Sequence, residues 1–149
     1  MKISIGSDHA GFELKEKIKK YLLRLGYEYK DFGTNSNESV DYPDFALKVA
    51  ESVTRKECAR GILICGSGLG MSMAANKVPG IRAALCTNPE MAKLSREHND
   101  ANVLTIGARL IDENTAKEIV RVWLTTEFAG DRHLRRINKI RDIERKYSK

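Results

Sequence analysis

Three cysteines, three prolines and one tryptophan in 149 residues leave little room for several structural classes. Cys58, Cys65 and Cys86 are odd in number and lack CxxC spacing. That argues against a disulfide framework or a zinc site and suits a reducing, cytoplasmic compartment. One of the three is free to be a reactive thiol. With so few prolines and only eleven glycines, collagen-like and low-complexity chains are excluded. Long apolar runs are missing too. The longest, such as Ile62-Leu63-Ile64-Cys65, has the length of a buried strand and falls far short of the roughly 18 to 20 residues of a membrane span. The start of the chain meets Asp8 and His9 before an apolar segment develops, so no secretory signal is expected.

What is present is ordinary: 42% hydrophobic and 31% charged residues describe one soluble domain over residues 1–149. A chain of this size buries roughly 68 to 70% of its unfolded surface, enough to fold without a disulfide or a metal. The net charge of +6 is concentrated. From Asp131 to Lys149 eight Lys or Arg face three Asp or Glu, a balance of +5, so the remaining 130 residues carry only +1. Such a tail reads as a solvated helix face or as a specific anion site. Nucleic-acid binding is disfavoured, because Tyr147 is the only aromatic residue among the basic ones.

The apolar period alternates between two and about 3.6, switching every ten to fifteen residues, which is the signature of βα units. Strands are expected at Ile3–Ser7, 27–32, 61–65, 81–86 and 102–106. Helices are expected from Leu14 to Leu25, from Pro43 to about Glu57, from Met71 to about Asn76, from Pro89 to His98, from Asn114 to Phe128 and from about Arg132 to Tyr147. Five strands joined by right-handed crossovers predict an α/β fold, a Rossmann-like parallel sheet with helices on both faces. Ligands in such sheets bind beyond the carboxyl ends of the strands. Function is therefore expected at Ser7-Asp8-His9, Cys65 to Gly70, Thr87-Asn88 and Gly107-Ala108-Arg109, with Glu97 to Asn102 as a further cluster.

The glycine loop excludes some chemistry by its spacing. Gly66-Ser67-Gly68-Leu69-Gly70 is not the G-x-G-x-x-G of a dinucleotide site, and Gly70 is followed by Met71-Ser72 where a Walker loop needs Lys then Ser or Thr. A cysteine phosphatase loop would carry Arg six residues after Cys65, and that position is Met71. What remains is a thiol at the end of a central strand facing glycine amides that stabilise anions. A proton acceptor beside an amide nest is what an enolate-forming reaction needs. The alternative, a small core hydrophobe at Cys65, is weakened by three glycines in five positions. His9 follows a helix-capping candidate and reads as a phosphate ligand or a surface residue. His98 ends a helix and reads as a cap or an acid/base group. Arg132 and Arg136, four apart, share a face and can grip one phosphate.

Together these segments carry a resemblance. Gly6-Ser7-Asp8-His9-Ala10-Gly11, Asp41-Tyr42-Pro43, Cys65 to Gly70, Glu97 to Asn102, Gly107-Ala108-Arg109 and Arg132-His133 closely resemble the type B ribose-5-phosphate isomerases and the related isomerases of the lactose and allose pathways. The resemblance runs from about Lys2 to Ile140. It implies a three-layer α/β/α subunit, a homodimer or dimer of dimers with active sites at the interface, and isomerisation of a sugar phosphate through a cis-enediolate. It implies no metal, no cofactor, and no nucleic-acid or membrane partner. By position, the family's base falls on Cys65. The amides of Gly66, Gly68, Leu69 and Gly70, with Asn99, would hold the enediolate oxygens, and His98 helped by Ser67 would open the sugar ring. Asp8 would bind sugar hydroxyls, Tyr42 would line the site, and His9, Arg109, Arg132 and Arg136 would bind phosphate. The last helix, about 132–147, would pack on a partner subunit. Ribose 5-phosphate is the family's commonest substrate, with allose or galactose 6-phosphate as alternatives; a binding module for phosphorylated metabolites or nucleic acid is the non-enzyme alternative.

Overall fold

The computed structural model describes residues 1–148, so Lys149, the last residue of the expected domain, lies outside it. The elements run β1 (Lys2–Ser7), α1 (Phe12–Arg24), β2 (Glu28–Asp31), α2 (Tyr42–Thr54), β3 (Arg60–Cys65), α3 (Leu69–Ala75), β4 (Ala83–Leu85), α4 (Pro89–Glu97), β5 (Val103–Gly107), α5 (Glu113–Thr125) and α6 (Arg132–Tyr147). All strand pairs are parallel, in the order β2-β1-β3-β5-β4. The order changes direction between β1 and β3. That switch point leaves a crevice beyond the carboxyl ends of those two strands, where helices on opposite faces diverge.

Two apolar layers sandwich the sheet. Ile3, Ile5, Ile62, Ile64, Leu104 and Ile106 face α1 and α5, meeting Leu14, Ile18, Leu22, Ile119 and Trp123. On the other face Leu63, Cys65 and Val103 pack against Ala46, Val49 and Ala50 of α2 and Met71 and Ala75 of α3. The alternation along β3 and β5 thus sends odd-numbered residues toward α2 and α3, which aims Cys65 and Thr105 at the glycine loop. In contrast, α6 buries only His133 and Ile137 and leaves Leu134, Ile140, Ile143 and Tyr147 exposed.

Several expected boundaries shift: α2 ends at Thr54 instead of about Glu57, and side-chain bonds account for two others. The fifth helix stops at Thr125 instead of Phe128: Thr126 is extended, and the hydroxyls of Thr125 and Thr126 donate to the carbonyls of Arg121 and Val122 at 2.8 and 2.6 Å, ending the helix at two β-branched residues. The fourth strand shrinks to Ala83–Leu85, because side chains replace its neighbours' ladder bonds. The Asn102 amide oxygen takes the Arg82 N–H at 2.8 Å, and the Asn76 side chain brackets Ala83. Among the described residues, no helix is long and apolar enough to cross a membrane.

Candidate active site

The sheet's switch point holds a pocket of about 450 Å³ lined by Asp8, Tyr42, Cys65, Gly66, Ser67, Gly70, Arg109 and Leu110. Its walls come from the ends of β1, β3 and β5 and from the start of α2. Cys65 closes β3 with 4% exposure, and its Sγ accepts the Gly68 N–H at 3.1 Å. Gly68 makes this possible with φ +80°, a conformation that side chains rarely adopt, and a Cβ there would meet Leu85 Cδ1 at 2.5 Å. Ser67 turns its hydroxyl to the Leu69 N–H at 3.2 Å, stabilising the turn into α3.

From β1, Asp8 is 7% exposed and its Oδ1 accepts the Gly11 N–H at 3.1 Å, which fixes the carboxylate at the start of α1. The Tyr42 ring, at the first turn of α2, lies against the loop: a Cβ on Gly70 would sit 2.5 Å from its Cε1. From the end of β5 the Arg109 guanidinium covers Gly66, where an added Cβ would come within 3.1 Å of a terminal nitrogen. The Arg109 and Ala108 N–H groups donate to the carbonyls of Gly66 and Cys65 at 3.0 and 2.8 Å, tying this junction to the glycine loop. The pocket therefore offers a thiol, a carboxylate, a hydroxyl and a guanidinium around the glycine loop that leads into α3. Leu110 joins it without having been anticipated, since nothing distinguishes a leucine after a strand end from a core residue.

Gly68 and Leu69 belong to the same loop, the first buried and the second exposed at the start of α3. His9 stands beside the pocket, its Nδ1 accepting the Val40 N–H at 3.2 Å. That leaves Nε2 of the neutral ring as the donor.

Four residues singled out in the sequence lie elsewhere. His98 ends α4, and helices of a parallel sheet run opposite to its strands, so His98 and Asn99 sit at the amino edge of the sheet. Asn102, just beyond, bonds Gly61 at the start of β3, whereas Cys65 pairs with Gly107 at its end. Four strand rises from Gly61 to Cys65, about 13 Å, separate the two edges. Arg132 and Arg136 are exposed on the first turns of α6, beside His98. The His98 ring stacks on His133 with centroids 4.3 Å apart and planes 15° from parallel. Burial, then the neighbouring His98, Arg132 and Arg136, hold the His133 imidazole below its ordinary pKa. Asn99 lines a separate groove of about 650 Å³ with Arg82, Ile140, Ile143 and Tyr147. A single chain thus carries two clusters at opposite edges of the sheet, one around Cys65 and one around His98.

No group of three or more His, Cys, Asp or Glu among the described residues is placed to hold a metal ion. Cys58 and Cys86 are core residues, and burial pushes the Cys86 thiol up to about 11.

Comparison with known proteins supplies the context for this arrangement. Residues 3–140 match the Ribose/Galactose Isomerase family profile. The chain is 48% identical to ribose-5-phosphate isomerase B of Escherichia coli, over 97% of each chain. It superposes on ribose-5-phosphate isomerase B of Clostridium thermocellum with a TM-score of 0.98 at 62% identity, covering 99% of this chain and 100% of that one. The enzyme from Mycoplasma genitalium, solved with bound ribulose 5-phosphate, gives 0.93 at 42% identity over 97% and 96%.

Proposed function

The chain belongs to the ribose/galactose isomerase family, in its type B ribose-5-phosphate isomerase branch, and from that premise we propose that it interconverts ribose 5-phosphate and ribulose 5-phosphate through a cis-enediolate. The observation that carries this reading is the Cys65 thiol on the pocket floor, bonded by the Gly68 N–H and surrounded by the amides of a glycine loop. As a thiolate it takes the C2 proton of the open-chain aldose. The charge passes to the former carbonyl oxygen, and the glycine amides offset it. Returned to C1, the same proton completes the ketose as O2 gives up its own proton toward O1.

Ring opening needs a separate acid/base pair, because the sugar phosphate is mostly cyclic. His98 supplies it in this reading, with Ser67 as helper, and Asn99 adds a donor for the enediolate. Since these lie at the edge opposite Cys65, a second copy of the chain brings them. In a two-fold dimer the Cys65 cluster of one copy faces the His98 cluster of the other, forming two identical composite sites. The exposed apolar stripe of α6, Leu134, Ile140, Ile143 and Tyr147, suits packing on that second copy and carries Arg132 and Arg136 with it. Those arginines, with Arg109 and the Nε2 of His9, make the phosphate subsite, while Asp8 and Tyr42 engage the sugar.

Turnover of ribose 5-phosphate by the purified protein in EDTA, with allose 6-phosphate in parallel, tests the proposal. The expected result is pentose isomerisation unaffected by chelation. Activity on the hexose phosphate alone would move the substrate within the family, and inactivity on both would favour a binding role.

A further inference from the structure

We infer that Thr105 is a positioning residue for Cys65, acting through Gly68, whose carbonyl it holds and whose N–H meets the sulfur. Thr105 is fully buried in β5, amid Val103, Leu104 and Ile106, and a hydroxyl there needs a partner. It finds one outside its own strand: Oγ1 donates to the Gly68 carbonyl at 3.0 Å. That carbonyl also takes the Ser72 N–H at 3.1 Å, the first bond of α3. On its amino side the same residue points its N–H at Cys65 Sγ, 3.1 Å away. Thr105 therefore grips one end of a residue whose other end supports the sulfur.

Gly68 needs that grip. At φ +80° it is the residue of the loop with the most freedom to turn. Leu85 and the Ile106-Gly107 backbone pack where a side chain would stand, while the Thr105 hydroxyl ties its carbonyl directly to the sheet. Without the hydroxyl, the Ser72 bond still satisfies the carbonyl, so the fold persists, but the Gly68–Leu69 peptide unit loses its tie to the sheet and Gly68 is freer to shift about its own dihedrals. The Ser67–Gly68 unit, joined to it at the Gly68 Cα, then points its N–H less often at the sulfur. A sulfur that loses its amide donor loses the hydrogen bond that offsets negative charge on it and is held less firmly in line with its reaction partner. Thr105 itself touches neither substrate nor sulfur. The inference rests on the reading of Cys65 as the proton acceptor, and it adds a second residue to that chemistry.

The test uses the full chain carrying Thr105→Val, which keeps the shape and removes the donor, beside Thr105→Ser, which keeps the donor. Two quantities are measured: kcat and KM for ribose 5-phosphate, and the rate at which iodoacetamide alkylates Cys65 at neutral pH, with the modified peptide identified by mass. For Thr105→Val we expect kcat about tenfold lower, the factor for one hydrogen bond, KM within about twofold, and slower alkylation. Thr105→Ser should restore both. Wild-type kcat and alkylation in Thr105→Val would overturn the inference, as would Thr105→Ser as impaired as the valine, which would assign the effect to packing of the methyl group. Should the valine variant fail to fold, Thr105→Ala replaces it in the same comparison. Alkylation needs no turnover, so it decides the role of Thr105 even if Cys65→Ala retains activity and the base assignment falls.

Discussion

Cys65 differs from the two other thiols in its surroundings more than in its burial. All three are buried, yet only Cys65 borders the pocket at the sheet's switch point; Cys58 is enclosed by core, and Cys86 lines a separate cavity with Met91, Leu94 and Ser95. It accepts an amide hydrogen bond at 3.1 Å, and the neighbouring groups include a guanidinium but no second carboxylate besides Asp8. In the proposed mechanism, truncating the sulfur removes the proton acceptor while leaving the assigned phosphate ligands in place. Cys65→Ala should therefore lower kcat by at least about 10²-fold, the lower range for a general base. Competitive inhibition by a non-reacting sugar phosphate should change little, because that binding draws on Arg109 and its neighbours. Full activity in this variant would remove the thiol from the mechanism.

At the scale of elements, α1 is joined to β2 by a charged cluster that is independent of the pocket. Lys15 is fully buried, and its ammonium meets Asp31 at 2.5 Å and Glu16 at 3.2 Å, while Lys19 reaches the same two carboxylates at 2.9 and 2.7 Å. Burial alone would raise the Asp31 carboxyl, and hydrogen bonds from Lys15, Lys19 and the Gly33 N–H outweigh it, holding the group below its ordinary pKa. A carboxylate whose folded value is depressed adds stability that is complete above its unfolded value, about 3.9, and lost as pH falls through the folded one. Asp31→Asn should cost about 2 kcal/mol near neutrality, less than a fully buried unpaired charge because Glu16 still reaches Lys15. Thermal melts of both proteins should differ by a constant amount from pH 7 to about 5 and converge below about 4. A difference that persists at low pH would assign it to packing instead of charge. Neither Lys15 nor its partners were legible in the sequence, where a lysine between Leu14 and Glu16 looks like an ordinary surface position of an amphipathic helix. The βα units were legible, since the apolar period changes wherever strand gives way to helix. The ends of α5 and β4 were not, because Thr125, Thr126, Asn76 and Asn102 set them through bonds that any Thr or Asn is equally able to make with water. The glycine loop, Asp8 and Arg109 announced themselves at strand ends, whereas Thr105 was hidden by its β-branched shape, which fits a buried strand with or without its hydroxyl.

For the whole molecule, the direction of the helices decides what one chain can do alone. The strand ends carrying Asp8, Cys65 and Arg109 and the helix ends carrying His98 and His133 lie at opposite edges of one rigid sheet, and no side-chain rotation spans the intervening length. The proposed two-fold pairing of copies would remove the obstacle, and mixing variants tests it. Cys65→Ala and His98→Ala should each be nearly inactive when pure. After subunits are exchanged by unfolding and refolding an equal mixture, half of the dimers are mixed. In each of those, one site combines both damaged clusters and the other combines the two intact ones, so activity should return to about a quarter of the wild-type value. Sites built within single chains predict no recovery, since every chain in the mixture lacks one of the two groups. Recovery near a quarter would also place Arg132 and Arg136, carried on the same arm as the His133 that stacks on His98, in the partner's half of the site.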